Sequence, residues 1–177
     1  MLIRRRIPRI IICDGSADPN YQFEGISDLT RKARIDLDAC IQPFSAADLA
    51  VHVPQSLHGL VGTPEELQPV RDANGNPVGP SKKHAALYWI DYRTEPSRRS
   101  VLLYLKATVT GDENSDIENY HATHPEFPHE STGDQVFVEA QWESYRNLGH
   151  HIGYPLFEDQ SWLWKIPLVS PGGQRCC

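Results

Sequence analysis

Three groups of residues have the types and spacing that chemistry needs. His129 to Gly133 read HESTG, one residue short of the acyl-transfer elbow G-x-S-x-G, with His129 where the first glycine would stand and Ser131 as the serine. Such an elbow works because a strand runs straight into a tight turn and then a helix, presenting the serine Oγ beside backbone N–H donors. Here the preceding HPEFPHE carries Pro125 and Pro128, which disfavour an ordered central strand. The helix half of the context is the better match. Thr132-x-x-Gln135 fits a capping box, and Ser131 with Asp134 offers an alternative frame whose carboxylate suits the helix dipole. A capped helix start therefore explains more of these residues than a nucleophile does.

The second group is His121, His124 and His129, with Glu130 and Asp134 close by. Imidazoles and carboxylates are ligands for zinc or iron. The H-x-x-H here runs into a proline rather than forming the helical H-E-x-x-H face, and no cysteine is near. His84, His150 and His151 fall on other elements. Packing and loop hydrogen bonds are the expected roles, and no metal or cofactor is assigned. The third group is Asp14-Gly15, which closes an apolar run. A carboxylate at a strand end is placed to orient or act as a base in α/β proteins. Asp14, Ser16, Asp18 and Asn20 are also ordinary turn formers, which is the favoured reading. DGSADPN lacks a glutamate in register for an EF-hand, so calcium is not expected.

The elements that must position these groups follow from periodicity. Ile7 to Cys13 is a continuous β-branched run, as in a strand buried on both faces. Glu24 to Asp38 fits a helix with Ile26, Leu29, Ala33 and Leu37 on one face. Ile41 to Val70 shows no clear period, with short extended pieces such as LAVHV. Asp72 to Lys83 is a turn-rich loop. His84–Arg93 and Val101–Thr110 read as antiparallel strands joined by the polar TEPSRRS. Asp112 to Tyr120 fits a short helix ended by Pro125. The last strong element starts at HESTG, presents Phe137, Ala140, Ser144 and Leu148, and stops at Gly149. One domain over residues 1–149 with an irregular tail over 150–177 is the expected organisation.

Bulk properties narrow the function classes. The chain has 177 residues, 40% hydrophobic, with fourteen prolines, which suits one loop-rich α/β domain. A net charge of -6 argues against a general nucleic-acid binder. The basic RRRIPR at Arg4 to Arg9 reads as a solvated helix end rather than a membrane anchor. The apolar run after it is too short for a signal peptide, and no stretch approaches the roughly 20 apolar residues that span a bilayer. Cys13, Cys40, Cys176 and Cys177 form no disulfide framework, so reduced thiols and a cytoplasmic setting are expected.

Several stretches together resemble the C-terminal region of bacterial patatin-like phospholipases. They are LIRRRIPRIIICDGSADPNYQFEGISDLTRKARID, then HAALYWIDYR, then VLLYLKATVTGDENSDIENYHATHPEFPHESTGDQVFVEAQWESYRNLG, in the family's order. HPEFPHESTGDQ with ESYRNLG is the most specific combination. The resemblance implies the C-terminal part of a three-layer α/β hydrolase fold: a mixed sheet, two or three helices and a loop-rich tail. It also implies a family that cleaves lipid acyl esters with a Ser–Asp dyad, the serine in G-x-S-x-G and the aspartate in D-G-[GA]. G-x-S-x-G occurs nowhere in the chain, and the single Asp-Gly pair, Asp14-Gly15, is followed by Ser16. On the family's pattern the chain starts just downstream of the catalytic aspartate, and Asp14 has no catalytic counterpart. No catalytic residue is carried over. The expectation is a lobe inactive by itself as a lipase, whose partner is a missing N-terminal catalytic half or a homologous chain. The intact parent would meet a lipid or membrane surface. The alternatives are a regulatory module docking on a separately encoded hydrolase half, or an enzyme using Asp14 or Ser131 in another way.

Overall fold

The computed structural model describes residues 2–131, 133 and 136–169. Its centre is a hairpin of β4 (Ala85–Tyr92) and β5 (Glu95–Lys106), the longest antiparallel pairing in the sheet. β1 (Arg9–Asp14) joins the outer side of β5 in parallel, and β2 (Ala39–Pro43) pairs antiparallel with β4. The short β3 (Val61–Gly62) pairs in parallel with the start of β4. The order is thus β1-β5-β4-β2 in a mixed five-stranded sheet, with β1 and β2 at its two ends.

Alternation along the hairpin divides the core between two faces, because successive side chains point to opposite sides of a sheet. Ala86, Tyr88, Ile90, Leu102 and Tyr104 pack with Ile10, Phe23, Ile26 and Ala33, the last two on α1 (Glu24–Asp36). Ala85, Leu87, Trp89, Val101, Leu103 and Leu105 pack on the other side. Their partners include Ile117 of α3 (Ser115–Thr123), Leu148, Ile152 and Leu156 of α4 (Glu139–Glu158), and Trp162 of α5 (Ser161–Lys165). Helices cover both faces, so the α/β class holds as a mixed sheet between two helical layers.

Local chemistry explains the element ends. Asp18 accepts from the N–H groups of Gln22 (2.8 Å) and Phe23 (2.9 Å) just before α1. That bond pair holds Tyr21 and Phe23 at φ 53°, left-handed backbone that bulky residues adopt only at a cost of order 1–3 kcal/mol each. Ser45 and Asp48 make a reciprocal capping box at the start of α2 (Ala46–His52).

Several expectations need correction. β1 is an end strand rather than a strand buried on both faces: Ile10 is 3% exposed, but Ile11 is 45% exposed and Cys13 is exposed. A β-branched run has the same appearance whether one or two neighbours cover it. Most of TEPSRRS belongs to β5, which begins at Glu95, so the hairpin turn is short. Cross-strand partners make these polar residues acceptable in a strand. Arg99 forks onto Asp91 at 3.0 and 2.9 Å and stacks over Trp89, and Ser100 bonds Tyr92. Leu49 to His52, read as extended, lies in α2.

The largest difference is at the C-terminal side. Gly149 does not end its helix, and α4 continues to Glu158 with Pro155 inside it, followed by α5. Residues 150–165 are therefore mostly helical rather than an irregular tail. Ile152, Leu156 and Trp162 give that stretch a buried face strong enough to override the glycine and proline. α4 also starts at Glu139, well beyond Ser131, and the capping-box residues Thr132 and Gln135, with Asp134, lie outside the described residues. Among the described residues no helix is long and apolar enough to cross a membrane.

Candidate functional site

β1 and β5 run in parallel with Asp14 opposite Lys106, so their C-terminal ends bring two charged side chains together. Asp14 Oδ2 lies 3.4 Å from Lys106 Nζ and accepts the hydroxyl of Tyr104. Asp14 Oδ1 accepts from the Ser16 N–H at 2.9 Å and the Ser16 Oγ at 2.6 Å. The Lys106 side chain is wholly buried, and its ammonium also donates to the Ser16 carbonyl at 3.1 Å. Asp14 is thus more than a turn former: one oxygen organises the turn and the other faces a buried cation.

The electrostatics determine what this cluster can do. Burial alone would raise the Asp14 pKa, but hydrogen bonds from Ser16 and Tyr104, helped by the Lys106 charge, carry it below its ordinary value. Burial and the bond to Asp14 push the Tyr104 phenol well up, so it remains a donor at neutral pH. A carboxylate that holds no proton and a phenol that releases none make a poor acid/base pair. The arrangement works as a clamp between β1, β5 and the following turn.

His129 closes the same region. It is 5% exposed, its ring meets Tyr21 edge-on at 4.5 Å, and neither ring nitrogen has a hydrogen-bond partner among the described residues. Burial first, then the Lys106 charge, lowers its pKa to about 4, so the imidazole is neutral at pH 7.

His121, His124 and His129, for which packing is the expected role, do not come together as one ligand set. His121 lies on α3 beside the Phe127 ring, and His124 stacks on Tyr120 at 3.9 Å. Glu130 ties the segment down by accepting from Tyr120 (3.1 Å) and Gln141 (2.9 Å), while Phe127 fills the core between Tyr120 and Tyr145. Ser131 is exposed, its Oγ accepts the Gly133 N–H at 3.2 Å with no other partner among the described residues, and no strand precedes it. Nothing in this geometry activates it. By contrast His84 and His151, which the sequence assigns to separate elements, have ring centres 5.5 Å apart.

The arginine run divides in two. Arg4 and Arg5 are exposed, whereas Arg6 pairs with Glu95 and Arg9 donates to the carbonyls of Leu163, Trp164 and Ile166. Arg9 thereby fastens β1 to the end of α5.

The odd-numbered face of β1 is left open. Cys13, Leu105, Leu148, Gly149, Ile152 and Phe157 line a mainly apolar hollow of about 250 Å³ between β1 and α4. Sequence reasoning identified Asp14 but not Lys106 or this hollow. A lysine closing VLLYLK was the available signal, and only strand pairing gives it a partner. Comparison of the chain with protein-family models, with curated proteins and with solved structures finds no match.

Proposed function

We propose that this chain is the C-terminal, non-catalytic lobe of a patatin-like lipid acyl hydrolase and that it packs on the catalytic lobe along β1. The observation that carries the reading is the open β1 end of the sheet. An apolar strand has its second backbone edge unpaired among the described residues, and Ile11 and Cys13 are exposed beside an apolar hollow. Monomeric domains usually blunt such an edge with charge, proline or a bulge, and β1 has none of these between Ile10 and Cys13. Additional strands of a hydrolase core would continue the sheet from here, burying Ile11 and covering the hollow.

The site chemistry supports a non-catalytic role. Acyl transfer requires a nucleophile, a base and oxyanion donors in one place. Among the described residues Ser131 has no base beside it, and the Asp14 carboxylate is held in an ion pair. The same surface serves whether the catalytic half belongs to the same polypeptide or to a separate one.

Sequencing the DNA upstream of the coding region tests the first arrangement: a reading frame with G-x-S-x-G followed by D-G-[GA] is expected. The purified chain should then form a salt-resistant, stoichiometric complex with that polypeptide, with acyl-ester hydrolysis in the complex and none in the chain alone. Ile11→Arg should break the complex. Hydrolysis by the chain alone that disappears in Ser131→Ala or Asp14→Asn would overturn the proposal.

A further inference from the structure

We propose that His84, Asp112, Glu113 and His151 form a binding site for a divalent transition-metal ion of the zinc class, which fastens α4 to the loop that follows β5. Among the described residues this is the one set of histidine and acidic side chains whose potential ligand atoms all lie within 4.8 Å of one another. The four come from three separate places: the residue before β4, the β5–α3 loop, and the middle of α4. Tetrahedral zinc with bonds of about 2.1 Å sets its ligands about 3.4 Å apart. A modest contraction of the loop reaches that geometry, and His151 Nε2 is already 3.2 Å from Asp112 Oδ1.

Proton bookkeeping shows why a cation suits the cluster. Thr108 Oγ1 spends its one hydrogen on the Lys83 carbonyl at 2.9 Å. Its 2.8 Å contact with His84 Nδ1 must then be an Nδ1–H donor, which fixes the tautomer and leaves the Nε2 lone pair facing the cluster. Charging that ring instead would place a cation on a residue 1% exposed. Three acceptors surround Thr110 Oγ1: His84 Nε2 (3.1 Å), Asp112 Oδ1 (2.5 Å) and Glu113 Oε1 (3.1 Å). The hydroxyl has one hydrogen for all of them. Backbone N–H groups already serve Glu113, and His151 Nε2 is the one further proton source among the described residues, for Asp112, in its Nε2–H tautomer. A bound metal ion takes the place of the hydroxyl and imidazole protons by drawing on the lone pairs of the four side chains.

The supporting shell is also in place. The Thr108 hydroxyl orients His84 as outer hydrogen bonds orient metal-bound imidazoles. Glu113 is held by the N–H groups of Thr110 (2.7 Å, on Oε1) and Gly111 (2.8 Å, on Oε2), and Oε2 has no second donor among the described residues. Asp112 is 71% exposed, which opens a path for the ion. Two imidazoles with two carboxylates suit zinc better than calcium or magnesium, which prefer all-oxygen sets. Four protein ligands leave no open position, so the ion's role is structural.

The test uses the full chain, stripped with chelator and titrated with Zn²⁺ by calorimetry. One ion per chain is expected, with a dissociation constant below about 1 μM, together with a higher melting temperature. Mg²⁺ at the same concentration should do neither. His151→Ala and Asp112→Asn sit on exposed or half-exposed positions that can be changed without opening the core, and each should weaken binding at least about tenfold. A variant with Cys176→Ser and Cys177→Ser should bind as the parent does. Co²⁺ in place of Zn²⁺ should give tetrahedral visible bands without thiolate charge transfer. No stoichiometric zinc binding, binding unchanged in both ligand variants, or binding lost with the cysteines would each overturn the proposal.

Discussion

Asp14 and Lys106 occupy paired positions on parallel neighbours, Oδ2 to Nζ at 3.4 Å, with the lysine side chain fully buried. A buried ammonium is tolerable only with a counter-charge and hydrogen bonds. Asp14 supplies the first, and the carbonyl and hydroxyl oxygens of Ser16 contribute the second. This pair fixes the register of β1 at the open end of the sheet.

Removing one partner should therefore cost far more than removing both. Asp14→Ala strands Lys106 and is expected to destabilise the chain by about 3 kcal/mol. Asp14→Asn combined with Lys106→Met should recover most of that. Urea unfolding measures both. The depressed Asp14 pKa adds a sign: its contribution is complete above the ordinary carboxylate range and is lost as pH falls through the lower folded value.

His129 should limit stability on the acid side. Its folded pKa of about 4 lies below the ordinary 6.5, so the unfolded chain binds the extra proton between those values. Stability should fall as pH drops from 6.5 toward 4, by up to about 3 kcal/mol from this residue. His129→Phe keeps the edge-on contact with Tyr21 and removes two unbonded nitrogens. It should stabilise by about 1 kcal/mol at pH 7 and flatten the slope between pH 6.5 and 4. Thermal melts across that range decide it, and an unchanged slope would remove His129 from the account.

What was legible in the sequence had strong local causes. The IIIC run, the Ile26–Ala33 face and the two hairpin strands appear close to where periodicity places them. β2 was missed because ACIQP is short and closes on proline, and α2 because AADLAVH has no buried face of its own. The helical continuation past Gly149 depends on contacts with β4 and β5 that are remote in sequence. The Asp14–Lys106 pair and the His84–His151 approach have the same origin: both are products of strand and helix pairing, and residue spacing does not encode them. HESTG misled in the opposite way, since its local likeness to an elbow lacks the preceding strand.

The open β1 edge should show itself as self-association when no partner is present. Ile11→Lys places a charge on an exposed position of that strand, the device by which natural edges resist pairing. Light scattering on concentrated samples should show less association for the variant, with stability changed by no more than about 0.5 kcal/mol. Equal association in both forms would mean that the edge is not the contact.

The two glycines of α4 that face the hollow offer a test that separates stability from docking. A Cβ added at Gly149 or Gly153 meets no atom within 4 Å, and both residues line the space between α4 and β1. Glycine inside a helix costs roughly 0.5–1 kcal/mol relative to alanine. Gly149→Ala and Gly153→Ala should therefore each raise the urea midpoint, and together stabilise the chain by about 1–2 kcal/mol. If the catalytic lobe seats in the hollow, the same two methyl groups occupy its place and should weaken the complex at least about tenfold, roughly 1.4 kcal/mol. A stabilised variant that still binds the catalytic lobe with undiminished affinity would move the docking surface away from α4, onto the backbone edge of β1 alone.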